Sequence, residues 1–545
     1  MKICFSSTAS PWFFGPYGKQ LSLLCNYFIN HNYDVYYLLL INTGEIRKYQ
    51  YQELIKLDTS RKDNIDKELL HKIKFIGGIT KQNNKILVSN INEICDIFKI
   101  NHIFFLMDLT NLCFDNYFNC TSYVWYPNHF NPISIENQNK LKYFDKIIAL
   151  SKNDKNLIND TLKSNNIDYV PHIIDINPPN QNKSILREKY NFKKDDFIIF
   201  MNIGNYDIQN RKSIDTALFA FEEYLIDNDG ILFIHTYNVR EIDVNNHYTP
   251  MSNFFEIDDL LQYLNIPKNN IRIINKIIDE ITLSEYYFLS DVLLQTSKSE
   301  GFGLPILEAQ KNGLPVITTN FGAMSEYTYY GISVEPCQRL YDNIGKGVWC
   351  IPSIEGIKKS LIIIKNNNHI DNKEYAINKI NNDMSCNNVG KSIQNIISNT
   401  KKINHSKINN KLLQIIYYTD EKYILNGVEY NDIQPIQVYG KWVLFIKKNM
   451  IFKEKVLEGI CKINNEYDII VLPTKYKNKV YPSKLDLQIN NLEPDNMNYM
   501  IKSKKIKSFL EFNLLHQHMK GFLLLSTMNN SRVNVIEEVK IIESI

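Results

Sequence analysis

The segment that most constrains the fold of this chain spans residues 296–326 and reads TSKSEGFGLPILEAQKNGLPVITTNFGAMSE. Gly301 and Gly303 are typical of a turn in which the backbone approaches a ligand closely. Pro305 suits the first turn of a helix, where its missing N–H costs nothing. An Asn-Gly pair then predicts the end of the helix, and the letters LPVITT are typical of a short buried strand. The segment therefore predicts a turn, a helix and a strand of an α/β layer.

Two glutamates lie in this segment, Glu300 in the turn and Glu308 in the helix. A helix N-terminus with exposed amide groups binds anions, and phosphate is the natural ligand. An ionised Glu only accepts hydrogen bonds, so the nearby carboxylates suit hydroxyl groups rather than the phosphate itself. A ligand with phosphates at one point and hydroxyls on both sides is a nucleotide-sugar, which is the ligand class that we infer.

The segment closely resembles the E-x7-E signature of retaining family-4 glycosyltransferases of the GT-B fold, with Glu300 and Glu308 in SEGFGLPILEA followed by GLPVIT. The alternative is an ordinary α/β unit with a glycine turn and surface glutamates. The resemblance implies that Glu300 contacts the transferred sugar and that Glu308 contacts the ribose of the donor. It also implies that the turn lines the donor site, through residues Gly301, Phe302, Gly303 and Leu304.

The composition fits a large enzyme without a nucleic-acid partner. The chain has 545 residues, enough for two to four domains, and its 62 Lys and Arg nearly balance its 59 Asp and Glu. A net charge of +3 gives no electrostatic case for nucleic acid. No apolar run approaches the roughly 18 residues that span a bilayer, so we expect no transmembrane segment.

The nine cysteines are scattered singly from Cys4 to Cys461, with no C-x-x-C pair. This pattern indicates buried apolar residues in a reducing compartment, and it argues against a zinc site or a disulfide framework. The N-terminus is short and apolar and runs directly into Pro11 and Gly15, so it predicts a first strand rather than a signal peptide. We therefore expect a cytoplasmic protein.

The start of the chain predicts a strand, the loop SPWFFGPYGKQ, a helix and a second strand at residues 34–39. Gly15 and Gly18 lie where the family has a glycine-rich loop that lines the cleft between its two domains. A plain strand-to-helix connection explains these two glycines equally well. The resemblance therefore implies, without requiring it, that Gly15 and Gly18 belong to the ligand site.

Two further strands are predicted at residues 103–106 and 146–151, and the letters YVWYPNHF lie between them. They resemble the family segment in which a strand ends in a residue that faces the donor sugar. His129 occupies this position, where many relatives carry aspartate. A histidine suits the position if it only hydrogen-bonds a hydroxyl, and it leaves the identity of the sugar open. The alternative is an ordinary loop or core histidine.

A strand predicted at residues 197–201 leads into a loop that relatives use to place an arginine and a lysine on the donor diphosphate. Lys212 matches the family lysine just before the next helix. The arginine expected directly after Gly204 is replaced by Asn205, so Arg211 is our candidate for the second positive charge. Departure of a nucleoside diphosphate leaves negative charge on the β-phosphate, which fixed cations stabilise.

We place domain boundaries at polar, proline-bearing or lysine-rich linkers. The predicted domains are residues 1–178 (acceptor side), 179–400 (nucleotide-sugar side, with a final helix that crosses back) and 401–545. The last is predicted as a small α/β domain of unknown family. Its predicted strands lie at 412–418, 442–446, 467–472 and 522–526, with a helix at 452–460.

Asp227 and Asp229 match the D-x-D of metal-dependent glycosyltransferases. They lie between a predicted helix and a predicted strand, where Asp-Gly makes a turn. We therefore expect a turn and no metal site. In the GT-B family, cations and helix amides generally replace a metal.

The sequence thus predicts an α/β protein of GT-B fold, with two Rossmann-like domains facing a cleft. We expect a metal-independent, retaining glycosyltransferase that takes a UDP- or GDP-sugar without any other cofactor and acts on a glycan, lipid or protein. Two alternatives stay open. A nucleotide-sugar epimerase shares the two-domain architecture, and an inactive sugar-binding scaffold would retain the fold.

Overall fold

The computed structural model of the chain describes residues 1–13, 15–40, 45–57, 66–78, 81–82, 85–164, 166–205, 209–237, 241–242, 248–249, 255–342, 347–366 and 371–403, together with the strands given below for residues 413–535. These residues fall into two compact units, Met1–Ile403 and Asn404–Ile545. The finer boundaries at residues 178 and 400 stay predictions.

The first half of the larger unit is built on an eight-stranded sheet in the order β11-β10-β9-β7-β1-β2-β4-β3. All neighbours in it are parallel except the edge pair β3–β4. A smaller sheet has the order β5-β6-β8. The strands are β1 (Lys2–Ser7), β2 (Asp34–Leu39), β3 (Lys48–Tyr49), β4 (Lys74–Ile76), β5 (Lys81–Gln82), β6 (Lys85–Leu87), β7 (His102–Phe105), β8 (Leu112–Cys113), β9 (Thr121–Tyr126), β10 (Lys146–Ala149) and β11 (Ile167–Tyr169).

The second half contains a six-stranded, wholly parallel sheet in the order β16-β13-β12-β17-β18-β19. When these six strands are numbered by their order in the chain, their spatial order is 3-2-1-4-5-6, which is that of a Rossmann fold. The switch point lies between β12 and β17. The strands are β12 (Ile198–Gly204), β13 (Ile231–Tyr237), β14 (Glu241–Ile242), β15 (Tyr248–Thr249), β16 (Ile271–Asn275), β17 (Val292–Gln295), β18 (Val316–Thr319), β19 (Gly331–Val334), β20 (Pro336–Asp342) and β21 (Gly347–Pro352). Strands β14–β15 and β20–β21 form antiparallel pairs.

Helices cover these parallel sheets, which is why the central strands are continuous apolar runs. Phe5, Trp125 and Phe200 on three of the strands are fully buried. The helices are α1 (Pro16–Asn30), α2 (Tyr51–Leu57), α3 (Lys67–Lys72), α4 (Val88–Phe98), α5 (Ile135–Leu141), α6 (Lys152–Leu162), α7 (Lys183–Lys189), α8 (Ile214–Leu225), α9 (Ile257–Leu261), α10 (Glu280–Leu289), α11 (Leu304–Lys311), α12 (Ala323–Tyr327), α13 (Ile354–Lys365), α14 (Lys373–Asp383) and α15 (Cys386–Asn399). No described helix combines the length and apolarity that a membrane crossing requires.

Residues 296–326 fold as predicted into a turn, a helix and a strand. Gly303 caps α11 with a φ of 87°, a left-handed conformation that favours glycine, and Pro305 lies in the first turn of the helix. Asn312 ends the helix, and Gly313 follows with a φ of 74°. Strand β18 then lies between β17 and the edge strand β19 of the second sheet, fully buried.

The final helix, α15, packs on α1 of the first half. The Tyr27 hydroxyl donates a hydrogen bond of 2.9 Å to Gln394 Oε1, and Gln394 Nε2 lies 3.2 Å from the Tyr33 hydroxyl. Gly390 lies directly against the Tyr27 ring. These contacts between α15 and α1 therefore join the two halves of the larger unit, away from the cleft described below.

In the smaller unit the described strands form a mixed sheet in the order β24-β23-β22-β25-β29-β26-β30 and a β27–β28 pair. Three of the four predicted strands are confirmed in β22, β25 and β26. The predicted helix at 452–460 and the strand at 522–526 lie outside the described residues. The strands are β22 (Leu413–Tyr418), β23 (Tyr423–Leu425), β24 (Val428–Tyr430), β25 (Trp442–Lys447), β26 (Ile469–Leu472), β27 (Thr474–Tyr476), β28 (Lys479–Tyr481), β29 (Asn498–Lys502) and β30 (Val533–Val535).

The packing of α15 on α1 predicts that Gly390→Ala destabilises the protein. A Cβ at this position would lie 2.4 Å from Tyr27 Cγ, so the ring would have to move. We expect a loss of about 1–3 kcal/mol in the free energy of unfolding from overpacking. Helix propensity alone would change it by about 1 kcal/mol in the opposite direction. Denaturant unfolding measures the difference, and the exposed neighbour Lys391→Ala is the control. A Gly390→Ala protein more stable than wild type would contradict this packing.

Candidate functional site

The candidate site lies where the carboxyl ends of the strands in both sheets face each other. Ligands of open α/β sheets bind at these ends, at the point where the strand order reverses. In the second sheet that point lies between β12, which leads to Arg211 and Lys212, and β17, which leads to Glu300. In the first sheet it lies between β1 and β7, and the adjacent β9 leads to His129.

A cavity of 410 Å³, called the cleft below, lies between the two sheets and is lined by residues of both halves. The first half contributes Gly15, Tyr17, Lys19, Asp108, His129 and His172, among others. The second half contributes Asn202, Arg211, Lys212, His235, Glu280, Glu308 and residues 300–305. A larger cavity of 560 Å³ lies at the amino ends of the second sheet, beside Asp291 and Pro315. We assign the site to the cleft because the predicted residues converge there.

Glu300 is the electrostatic centre of the cleft. Its Oε1 lies 2.5 Å from Lys212 Nζ and its Oε2 lies 3.1 Å from Arg211 Nη1. The Ser297 hydroxyl donates a further hydrogen bond of 2.7 Å to Oε1. Burial alone would raise the pKa of the Glu300 carboxyl, which is only 7% exposed, but the two cations outweigh burial and hold the pKa well below its usual range.

The two cations come from the loop between β12 and α8. Arg211 Nη1 also donates to the carbonyl of Ser299 at 2.6 Å, and the Lys298 amide donates to the carbonyl of Arg211 at 2.8 Å. Burial lowers the pKa of the Lys212 ammonium, and the Glu300 carboxylate counteracts this. The loops after β12 and β17 are therefore joined by main-chain and ionic contacts.

His129 enters the cleft from the first half and lies against the turn that carries Glu300. Its Nε2 lies 3.8 Å from Asp108 Oδ1, and its ring lies beside Gly301. A Cβ on Gly301 would lie 3.0 Å from His129 Cε1 and 3.1 Å from Pro127 Cβ. Burial, and then the nearby Arg211 cation, lower the pKa of His129 to about 4, so the ring is neutral at physiological pH.

The other residues of the predicted turn line the cleft in distinct ways. Phe302 is buried, and its ring centroid lies 4.9 Å from that of His172. Leu304 begins α11 and lines the cleft beside Gly303. These positions agree with a ligand-binding turn, and their predicted roles stay predictions.

Glu308 lines the cleft in an environment unlike that of Glu300. Its Oε2 accepts a hydrogen bond of 2.9 Å from the Tyr287 hydroxyl. Burial raises the pKa of the Glu308 carboxyl, and the Lys19 ammonium and the Tyr287 hydroxyl offset part of that rise. Tyr287 was missed at the sequence level because no motif marks a tyrosine inside a helix.

Gly18, a predicted site residue, and Asn205, which replaces the expected arginine, are not among the residues that line the cleft. Gly18 packs against the carbonyl of Ser10, which a Cβ would approach to 2.5 Å, whereas Gly15 does line the cleft. The Asn205 side chain exchanges hydrogen bonds of 2.7 and 2.9 Å with the backbone of Phe255. Asn205 is therefore buried in a structural role, and the cations facing Glu300 are Arg211 and Lys212.

The Asp227–Asp229 segment is a turn between α8 and β13, at the amino end of β13 and so opposite the cleft. Asp229 Oδ1 accepts the Gly230 amide at 2.9 Å and the Asn270 side chain at 3.0 Å. Within the part of the chain that the structure describes, no three His, Cys, Asp or Glu residues are arranged to hold a metal ion. The predicted turn is confirmed.

Comparison with known sequences finds similarity over part of the chain. Residues 255–342 match the family described as Glycosyl transferases group 1. An O-antigen biosynthesis glycosyltransferase WclY of Escherichia coli is 32% identical over 187 residues, which is 34% of this chain and 46% of that protein. A second protein of the same name is 29% identical over 191 residues. The chain thus spans about half the length of these curated relatives. The matches support a glycosyltransferase.

Solved structures resemble the larger unit with low sequence identity. Sucrose-phosphate synthase of Thermosynechococcus elongatus has a TM-score of 0.52 and 13% identity over 73% of this chain and 98% of that one. A glycosyltransferase of Rickettsia africae has a TM-score of 0.51 and 17% identity over 73% and 99%. An E. coli structure described as trehalose-6-phosphate bound with UDP-2-fluoro glucose has a TM-score of 0.51 and 12% identity over 74% and 99%. The fold is GT-B, as predicted.

The burial of His172 predicts a pH-dependent contribution to stability. Its ring lies between Trp125, at 4.4 Å, and Phe302, and burial lowers its pKa from 6.5 to about 3. As the pH falls below 6.5, His172 becomes protonated in the unfolded chain but stays neutral in the folded protein. The free energy of unfolding should therefore fall by about 2 kcal/mol between pH 7 and pH 5 through this residue.

Denaturant unfolding of wild type and His172→Gln at both pH values measures this contribution as a difference in slope. We expect a shallower pH dependence in His172→Gln than in wild type. Equal slopes for wild type and His172→Gln would show that the folded protein accepts the proton at His172.

Proposed function

We propose that the chain is a retaining, family-4-like glycosyltransferase that moves a sugar from a nucleoside-diphosphate sugar to an acceptor hydroxyl without a metal. The observation that carries the proposal is the Glu300 carboxylate held between Arg211 and Lys212, with His129 packed against the adjacent Gly301. Fixed cations and a sugar-facing carboxylate in one enclosed cleft are what departure of a diphosphate requires.

The donor diphosphate binds beside Arg211, Lys212 and the first turn of α11. An ammonium group carries three donors and Glu300 Oε1 takes one of them, so Lys212 retains capacity for a phosphate oxygen. Both cations are partly buried, which strengthens their interaction with a phosphate relative to the same contact in water. Glu308 holds the ribose, on the side of the cleft away from the transferred sugar.

The acceptor hydroxyl attacks the anomeric carbon from the face that the diphosphate leaves. Its proton passes to the departing phosphate oxygen, so the new glycosidic bond forms as the old bond breaks and no protein nucleophile is needed. Ionised Glu300 and neutral His129 orient hydroxyls of the sugar. The two halves exclude water, which would otherwise hydrolyse the donor.

The acceptor that we favour is a growing glycan in the cytoplasm. The support is the partial similarity to proteins named for O-antigen biosynthesis, together with described cysteines that form no disulfide among themselves. The donor nucleotide is UDP or GDP.

The proposal is tested by incubating the full chain with a panel of UDP- and GDP-sugars and a mixed glycan acceptor, then measuring released nucleotide. Lys212→Ala should lose at least tenfold in turnover, since a charge-assisted contact contributes about 1.5–3 kcal/mol. The exposed Lys193→Ala variant is the matched control. Conversion of a nucleotide-sugar into its epimer would instead favour the isomerase, and binding without turnover would favour the scaffold.

The unlike environments of the two glutamates predict unlike defects. Glu300→Gln should lower kcat more than it weakens donor binding, because charge develops at the sugar in the transition state. Glu308→Gln should mainly weaken binding, because its contact with the ribose persists unchanged through the reaction. Calorimetric titration with the free nucleoside diphosphate separates the two. Equal loss of nucleotide affinity in both folded variants would contradict the assigned roles.

Metal independence gives a separate prediction. We expect chelator to leave the rate within about twofold, since cations of the chain stand where a metal would neutralise the diphosphate. Asp227→Asn should be equally benign, because Asp227 lies in a turn at the far end of the sheet. A strict requirement for Mg²⁺ or Mn²⁺ in the transfer assay would overturn the metal-free mechanism.

A further inference from the structure

A continuous chain of hydrogen bonds supports Glu308 from behind the cleft. The Tyr287 hydroxyl donates to Glu308 Oε2 at 2.9 Å, and Asn202 Nδ2 donates to the Tyr287 oxygen at 2.8 Å. His235 Nδ1 lies 2.8 Å from Asn202 Oδ1, and its Nε2 lies 2.9 Å from the carbonyl oxygen of Lys276. The chain therefore links α10, β12 and β13 to the carboxylate on α11.

The direction of the central bonds follows from the donors available. A phenol has one proton, and Asn202 already donates to the Tyr287 oxygen, so that proton is directed at Glu308. Burial, and then the Glu308 carboxylate, raise the pKa of Tyr287 well above its usual range, so the hydroxyl stays protonated. Tyr287 is fully buried and its ring packs edge-on against Phe200 at 5.4 Å, which fixes the position of its hydroxyl.

We propose that Tyr287 is a positioning residue for Glu308, an inference that rests on the proposed function. Together the two residues make the site selective for ribonucleoside diphosphates over their 2′-deoxy counterparts. Tyr287 occupies Oε2 and sets the rotation of the carboxylate. Oε1 then stays available to a hydroxyl of a ligand in the cleft that Glu308 lines.

The selectivity follows from what a carboxylate loses when a hydroxyl is absent. A carboxylate in a partly buried site accepts a charge-assisted hydrogen bond from the ribose 2′-hydroxyl. A 2′-deoxy ligand has no hydroxyl there and cannot donate this bond. Such a bond changes affinity about 10- to 100-fold. A carboxylate free to rotate could turn to other partners, and the discrimination would then weaken. Tyr287 restricts that rotation.

The test is calorimetric titration of the full chain with UDP, GDP and their 2′-deoxy analogues. We expect wild type to bind UDP or GDP at least tenfold more tightly than the matching 2′-deoxy nucleotide. Tyr287→Phe, which keeps the ring, should lose about tenfold in affinity for the ribonucleotide and little for the 2′-deoxy form. In the transfer assay its KM for the donor should rise while kcat stays close to wild type.

Tyr286→Phe is the matched control. It lies on the same helix and is buried, but its ring packs against Phe233 at 4.8 Å rather than reaching Glu308. Its ribose selectivity should equal that of wild type. Adding Tyr287→Phe to Glu308→Gln should cause no further loss, because the two residues act as one unit. If Tyr287→Phe fails to fold, Asn202→Ala removes the donor to Tyr287 and should lower the selectivity in the same direction.

The outcomes separate this inference from the proposed function. Wild type that binds neither UDP nor GDP overturns both. Wild type that binds UDP and 2′-deoxy-UDP equally, yet transfers sugar, overturns the inference alone. Equal losses for the two nucleotides in Tyr287→Phe would show general damage to the cleft and would also overturn it. A selectivity that falls only in the Tyr287, Asn202 and Glu308 variants supports it.

Discussion

The ion pair of Glu300 with Lys212 and Arg211 fixes the geometry on which the rest of the cleft depends. A carboxylate taken out of water is unfavourable by several kcal/mol unless charges and hydrogen bonds replace its hydration. Here two cations and the Ser297 hydroxyl do so, and they reach Glu300 from loops that follow different strands. Since neither loop can move without leaving a buried charge unpaired, the pair holds the carboxyl ends of β12 and β17 in register.

Contacts between the two halves depend in turn on this arrangement. The Ser299 hydroxyl donates to the carbonyl of His129, and the missing side chain of Gly301 leaves room for the His129 ring. On the rim, Lys19 of the first half lies 2.6 Å from Glu280 of the second. Away from the rim, the Asn153 amide donates to Glu326 Oε2, and α15 packs on α1. Both contacts also join the two halves. The cleft is therefore enclosed by contacts at its centre, at its rim and behind it.

The two glutamates of one short motif show how environment, rather than residue type, sets chemistry. Glu300 faces cations, which hold its pKa far below the usual range. Glu308, eight residues along the chain, faces a phenol, and burial raises its pKa. The same type of side chain is thus ion-paired with two cations at one position and accepts a hydrogen bond from a phenol at the other. This separation agrees with distinct roles for the sugar and ribose ends of a ligand.

The sequence by itself determined the elements and the motif. Continuous apolar runs predicted the buried parallel strands, and Gly303, Pro305 and Gly313 predicted where α11 begins and ends, because these are local properties of backbone and burial. It also placed four site residues in loops that follow predicted strands: Glu300, Arg211, Lys212 and His129. Only the tertiary structure decided that Asn205 faces Phe255, that Gly18 packs against Ser10 and that Tyr287, Asn202 and His235 support Glu308. Those contacts join residues distant in the chain, and their direction depends on side-chain orientation, which no local pattern encodes.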